Sequence, residues 1–213
     1  PPTLFFPLYC DDDLFVDDVP KISDTEIHLV YAGGVAGSHR DPKHYGNIQF
    51  FGLIDTLTKQ GLHFHIYPSP TNITADREEY EALARVNPRF HFHAPVPQER
   101  LAGELARYHF GILPFFKELS EQSDAKLKYA TTLKLFNYLE AGLPIIVSRD
   151  LYYQSWLVER HGAGLSIALD DLTTLAARLT HMGTLEVEKA RTSLRMKAAV
   201  FLLSDFYDRV IAR

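Results

Sequence analysis

The sequence holds a single cysteine, Cys10, among 213 residues, so no disulfide can form within one chain and nothing ties the protein to an oxidising compartment. No run approaches the roughly 18 consecutive apolar residues of a membrane-spanning helix, and no charged-then-apolar leader opens the chain. An excess of positive charge is missing too. The formal net charge is −5 and the basic residues are scattered, which argues against a general nucleic-acid binder. Internal repeats and low-complexity tracts are absent. What is present, 46% hydrophobic and 23% charged residues, is enough to close a substantial core without staples. These features set the expectation of a cytoplasmic domain with no membrane span. The chain opens on Pro-Pro rather than Met, which adds the expectation of a piece cut from a longer polypeptide.

Residues 1–26 read as a connector, with five aspartates between Asp11 and Asp18 and scattered prolines. Residues 27–213 read as one domain, because from residue 27 apolar runs alternate with helical periodicity. "IHLVYAGG", "LHFHIYP", "RFHFHAPV", "HFGILPFF", "LPIIVS" and "GLSIA" are strand-like. Between them lie helix-like stretches. The first, residues 41–61, has Asp41 as N-cap, Pro42 at the first helical position and Gly61 as its stop. The charged stretch 117–128 reads as a loop. Such alternation predicts βαβ units and a Rossmann-like α/β/α three-layer domain with a parallel sheet of about six strands. Ligands bind beyond the carboxyl ends of strands in such sheets, so the loops after Gly34, Pro68, Ala94, Phe116 and Ser148 are where function is expected.

The densest signal is "YATTLKLFNYLEAGLPIIVS", residues 129–148. Placed on a helix, Leu135, Phe136 and Leu139 share one side and should pack on the sheet, while Lys134, Asn137 and Tyr138 share the other, with Glu140 at its flank. Gly142 stops the helix and Pro144 follows harmlessly. Thr131 and Thr132 stand at the helix mouth, where a hydroxyl can cap free N–H groups. The same N–H groups and the helix dipole favour an anion, phosphate above all. Lys134 in the first turn opposes that dipole unless something negative binds nearby. A plain capped helix with a solvated lysine accounts for the same residues.

This stretch resembles the donor-binding segment of GT-B glycosyltransferases, in particular the large retaining, family-4-like group (glycosyl transferases group 1). Many of them carry Lys-Leu-Phe-Glu-Tyr-Leu-Ala-Ala-Gly-x-Pro before a valine-rich strand. Lys134, Leu135, Phe136, Tyr138, Leu139, Ala141, Gly142 and Pro144 match position for position. "PLYCDDDLF" loosely resembles that family's interdomain linker through Pro7, a central aspartate and Phe15. The resemblance implies the C-terminal half of a GT-B architecture, whose partners would be a nucleoside-diphosphate sugar and an N-terminal acceptor domain of the same polypeptide. It implies transfer of a sugar with retention, no metal and no cofactor beyond the sugar nucleotide as co-substrate. This half alone is expected to bind nucleotide without turnover. By the same resemblance Thr131, Thr132, Leu133 and Lys134 would hold the donor diphosphate. His93, Ala94 and Val96, in the loop that contacts the base, would read the nucleobase.

The sequence also departs from the pattern. Two family glutamates, the second binding the ribose, fall at Tyr129 and Asn137. Asn137 can still pair with a ribose hydroxyl, and Glu140 lies one turn on. Glu118, Glu121 and Asp124 in the preceding loop are alternative carboxylates. A family arginine after the first strand is replaced by glycine, leaving Arg40 and Lys43 as the nearby cations and Gly33, Gly34 and Gly37 for close backbone approach to the diphosphate.

Other features carry weaker expectations. His63 with His65, and His91 with His93, alternate along two strands and could in principle ligate a metal; side chains packed under helices explain them equally, and no metal is expected. The aspartates at 11–13 precede the first strand, the wrong place for a phosphoacceptor. Residues 195–213 carry an apolar stripe, Ala198, Phe201, Leu202, Phe206 and Val210, expected to pack on the core. Two other functions stay open: a nucleotide-sugar epimerase of the same architecture, and a non-catalytic binding or interaction module with a degenerate donor site.

Overall fold

A strand buried on both faces reads as a largely apolar run, and the six expected runs all become strands. The computed structural model describes residues 8–195, except 18, 24, 122, 123, 183, 184 and 186, together with 204 and 208. The strands are β1 (His28–Gly33), β2 (His63–Pro68), β3 (Phe90–Phe92), β4 (Phe110–Leu113), β5 (Ile145–Ser148) and β6 (Gly164–Ile167). They form one parallel sheet in the order β3-β2-β1-β4-β5-β6. This is the doubly wound order, with its switch point between β1 and β4.

Alternate side chains feed two cores. Val30, Leu113, Ile145 and Val147 pack beneath α4 (Gln98–Leu105), α6 (Leu133–Glu140) and α7 (Tyr152–Arg160). Leu29, Tyr31, Phe64, Ile112 and Ile146 pack on the opposite face with α2 (Phe51–Lys59), α3 (Thr74–Val86) and α8 (Leu175–Thr180). The period of two along each strand divides them.

Two expected elements differ. The single helix over 41–61 is broken into α1 (Pro42–Tyr45), a 3-10 turn at Gly46–Ile48, and α2. Asp41 caps α1 through Lys43 N–H as expected. At the break Gly46 is pressed against another loop, since a Cβ there would stand 1.6 Å from the Leu119 carbonyl oxygen. The supposed loop 117–128 contains α5 (Asp124–Tyr129). The expected helix over 195–213 lies outside the described residues save 195, 204 and 208, and all of its apolar stripe does. Among the described residues no helix is long and apolar enough to cross a membrane.

The connector lies against the domain. Cys10 is fully buried and its N–H donates to the Leu194 carbonyl at 2.8 Å, where the chain runs on from α9 (Val187–Ser193). Asp11 N–H donates to the Glu140 carboxylate at 2.9 Å, and Val16 N–H to the Glu140 carbonyl at 3.0 Å.

The helix expected to show a polar face is instead buried from Leu135 to Glu140, because α4 and α9 close over the sides that leave the sheet. Tyr138, assigned outward from its spacing, is a core residue. β1 and β4 pair only at Leu29–Phe110 and Val30–Gly111. Beyond that point the Tyr138 hydroxyl accepts from Ala32 N–H and donates to the Ile112 carbonyl, both at 3.2 Å. Its ring lies on Gly111, where a Cβ would come within 2.4 Å of it. Tyr138→Phe leaves a buried N–H and a buried carbonyl without partners and is expected to cost about 1–3 kcal/mol. Urea unfolding of the two proteins measures that difference.

Candidate functional site

A cleft of about 400 Å³ opens at the carboxyl ends of β1 and β2 and under the first turn of α6. Its floor is Ala32, Gly33 and Gly34; Tyr67 to Pro70 form one wall, and Val96, Gln98 and Leu101 another. Leu133, Lys134 and Asn137 close it from above. The volume falls within the roughly 300–1,000 Å³ usual for small-ligand sites.

Lys134 dominates its electrostatics. The ammonium stands 5.8 Å from the Tyr31 ring centroid and 5.6 Å from that of Phe115, within cation–π range. Among the described residues it has no carboxylate partner. Burial pushes its pKa below the usual lysine range. Its chain rests on Gly33, where φ is 151° and a Cβ would come within 2.2 Å of the Lys134 Cε. Backbone that only glycine readily adopts thus makes room for the lysine. Tyr31 holds the following turn, its hydroxyl donating to the Gly34 carbonyl at 3.0 Å.

The mouth of α6 differs from the expected cap. Thr132 occupies the N-cap position but makes no capping hydrogen bond; its hydroxyl donates to Gln154 Oε1 at 3.1 Å. Among the described residues no side-chain cap closes the N-terminus of α6. Leu133 is exposed at the cleft's rim, and Thr131 is half-buried and does not line it. Asn137 does line it, and its Oδ1 accepts from Gln98 Nε2 at 3.0 Å, so the two amides form one polar wall.

Other expected site residues lie elsewhere. Arg40 forks onto Asp76, its Nε and Nη2 each donating at 3.0 Å, and is committed to that pair. Lys43 is exposed and pairs with Glu121 at 3.3 Å. Neither lines the cleft, so two of the expected diphosphate cations are not brought to it. Glu140 faces the connector through Asp11 and is likewise not at the cleft. Glu118 and Glu121 are absent from the lining, as is exposed Tyr129, and the Asp124 side chain lies outside what is described. Ala94 is exposed and Val96 lines the cleft. His93 points into the fold: it stacks on Tyr67 at 4.4 Å and bonds His65 at 2.9 Å. Burial and the neighbouring His91 lower its pKa to about 4.

Sequence reasoning missed Gln98, Tyr67 and the Tyr31–Phe115 pair. Gln98 begins a helix behind Pro97, and Tyr67 ends a strand; both positions could have been marked from the pattern. The aromatic pair around Lys134 joins β1 to the segment after β4, a contact with no local signature.

The family model described as "Glucosyltransferase 3-like, C-terminal domain" matches residues 45–210. Among solved structures, the chain is similar to AviGT4, a glycosyltransferase involved in avilamycin A biosynthesis, with 16% identity and a TM-score of 0.66 over 97% of this chain and 57% of that one. It is similar to sucrose-phosphate synthase from Thermosynechococcus elongatus with 15% identity and a TM-score of 0.58, over 97% of this chain and 52% of that one. WaaG, a glycosyltransferase involved in lipopolysaccharide biosynthesis, gives 17% identity and a TM-score of 0.56, over 92% and 55%. The chain thus spans little more than half the length of these structures. No curated protein matches it.

Two neighbouring glycines separate the local demands of the cleft. Gly33→Ala is expected to cost about 1–2 kcal/mol and to lift Lys134 off its floor. Gly34→Ala meets nothing within 4 Å and should stay within about 0.5 kcal/mol of the parent. Urea unfolding tests both, and the Lys134 side-chain resonances report the displacement.

Proposed function

As the chain belongs to the glucosyltransferase 3-like C-terminal domain family and has a GT-B fold, we infer that the cleft binds the nucleotide-sugar donor of a glycosyltransferase. The observation that carries this reading is Lys134: a half-buried cation, without a carboxylate partner among the described residues, at the uncapped mouth of α6. A diphosphate supplies the missing negative charge. Its oxygens would meet the first-turn N–H groups of α6, the Lys134 ammonium and the backbone at Gly33 and Gly34. Asn137 and Gln98 would meet the ribose hydroxyls, and Val96 the base.

In transfer, the bond between the sugar's anomeric carbon and the diphosphate breaks and negative charge collects on the leaving oxygen. Lys134 and the positive end of α6 oppose that charge without reorganising, which is the main electrostatic contribution such a site can make. The groups that act on the acceptor would belong to an N-terminal domain, and retention of configuration remains part of this proposal. The described lining contains no carboxylate or imidazole. That observation disfavours an epimerase, whose chemistry needs such groups in the cleft. It also supports a second reading, a donor-site module that binds nucleotide without transferring sugar. Sugar transfer by the full-length polypeptide separates the two.

Isothermal titration with UDP, GDP and ADP tests the donor site. One of the three is expected to bind, and Lys134→Ala should weaken it by roughly ten- to hundredfold, the worth of one charge-assisted hydrogen bond. Lys43→Ala should leave it unchanged. The result against the reading is equal binding by the parent and the Lys134 variant.

Binding should also depend on pH. Because Lys134 loses its proton at a lower pH than an ordinary lysine, affinity should be full below its folded pKa and fall as pH rises through it. The Lys134→Ala protein should lack this alkaline loss.

A further inference from the structure

At the other end of β1 and β2, six imidazoles gather where the sequence showed only two alternating pairs. His28 is in register with His63 on the neighbouring strand, and His65 with His91. The rings stack across strands, His28 on His63 at 4.3 Å and His65 on His91 at 4.2 Å. Hydrogen bonds run in one sense through them: His28 Nδ1 to His65 Nε2 at 2.8 Å, His65 Nδ1 to His93 Nε2 at 2.9 Å, and His63 Nδ1 to His91 Nε2 at 3.0 Å. His109 accepts the His28 backbone N–H through Nδ1 at 3.0 Å.

This ladder leaves two nitrogens over. His28 Nε2 and His63 Nε2 are buried and, among the described residues, have no hydrogen-bond partner. If the Nε2 atoms carried the protons, His28 would be a buried donor with no acceptor and His63 would have only the Glu26 carboxylate at 3.4 Å. If the Nδ1 atoms donate down the ladder, two lone pairs face the same space. The Glu26 carboxylate completes the group: its Oε1 is 3.4 Å from His63 Nε2, and one ligand atom from each of the three residues lies within 4.8 Å of the others. Adjacent ligand atoms of a tetrahedral zinc site lie ~3.3 Å apart for bonds near 2.0–2.1 Å, so the carboxylate–imidazole spacing already fits.

We propose that Glu26, His28 and His63 form a divalent-metal site of zinc type, with a water as fourth ligand. Two imidazoles and a carboxylate are a zinc donor set. The Nδ1 bonds to His65 and His91 leave both Nε2 atoms to the metal, and binding turns the two ligand rings out of their near-parallel stack so that the lone pairs converge. The cleft lies beyond Gly33 at the opposite end of β1, ~16 Å away at the rise of an extended strand. The metal therefore works structurally, tying the end of the connector at Glu26 to the entry of β1 and β2.

Protein stripped with EDTA is titrated with Zn²⁺ against a chromophoric chelator, and with Co²⁺ read by its visible d–d absorption. One equivalent is expected, with the intense bands of four-coordinate cobalt. Glu26 is exposed, so Glu26→Gln keeps the fold, and it should weaken binding by roughly tenfold or more. His63→Gln should abolish binding, and His39→Gln should leave it unchanged. Absence of stoichiometric binding overturns the proposal, as does stoichiometric binding that Glu26→Gln does not weaken.

Discussion

The cleft depends on how β1 and β4 are held where they part. A parallel sheet that changes winding direction opens a crevice at that point, and the backbone groups bordering it lose their ladder partners. Here the Tyr138 hydroxyl supplies the missing contacts to Ala32 and Ile112. That bond fixes α6 over the crevice. Lys134 lies one turn before Tyr138 and on the same side of the helix, so the anchor that holds the helix also holds the lysine above Gly33. The absence of a side chain at Gly111 and at Gly33 serves one arrangement: the tyrosine ring rests on the first, the lysine chain on the second.

A lysine in this position is electrostatically unfavourable without an anion beside it. It opposes the positive end of its helix, burial disfavours its charge, and two aromatic faces are its only described compensation. Arg40 and Lys43 illustrate the contrast, since each already has a carboxylate. The site's charge thus comes from one side chain and one helix end, both fixed in place before ligand binds. Preorganised charge of this kind acts on a leaving group without rearrangement.

The sheet was legible because strands covered on both faces are largely apolar: β4 and β5 are nearly unbroken apolar runs, and in β2 and β3 histidines alternate with aromatic and aliphatic residues. The extent of α6 was legible because helix stops are local, but its cap was not: the Thr132 hydroxyl turns to Gln154, 22 residues away in sequence. Burial around α6 was not: a helix covered by sheet and helices has no solvent side, so the 3.6-residue period assigned Tyr138 outward when it belongs to the core. Arg40, Lys43 and Glu140 were misplaced for a related reason. Their partners, Asp76, Glu121 and the Asp11 backbone, are distant in sequence, and charge alone does not tell whether a cation is free. The histidine ladder shows the limit from the other side. Alternation revealed His63 with His65 and His91 with His93, whereas strand register brought His28 to His63.

The most direct measurement is the titration of the Lys134 ammonium by heteronuclear NMR, in the free protein and with the bound nucleoside diphosphate. The account predicts a pKa below that of an ordinary lysine in the free protein and a clear rise when the diphosphate occupies the cleft. A Lys134 that titrates like a solvated lysine and does not respond to the nucleotide would contradict it.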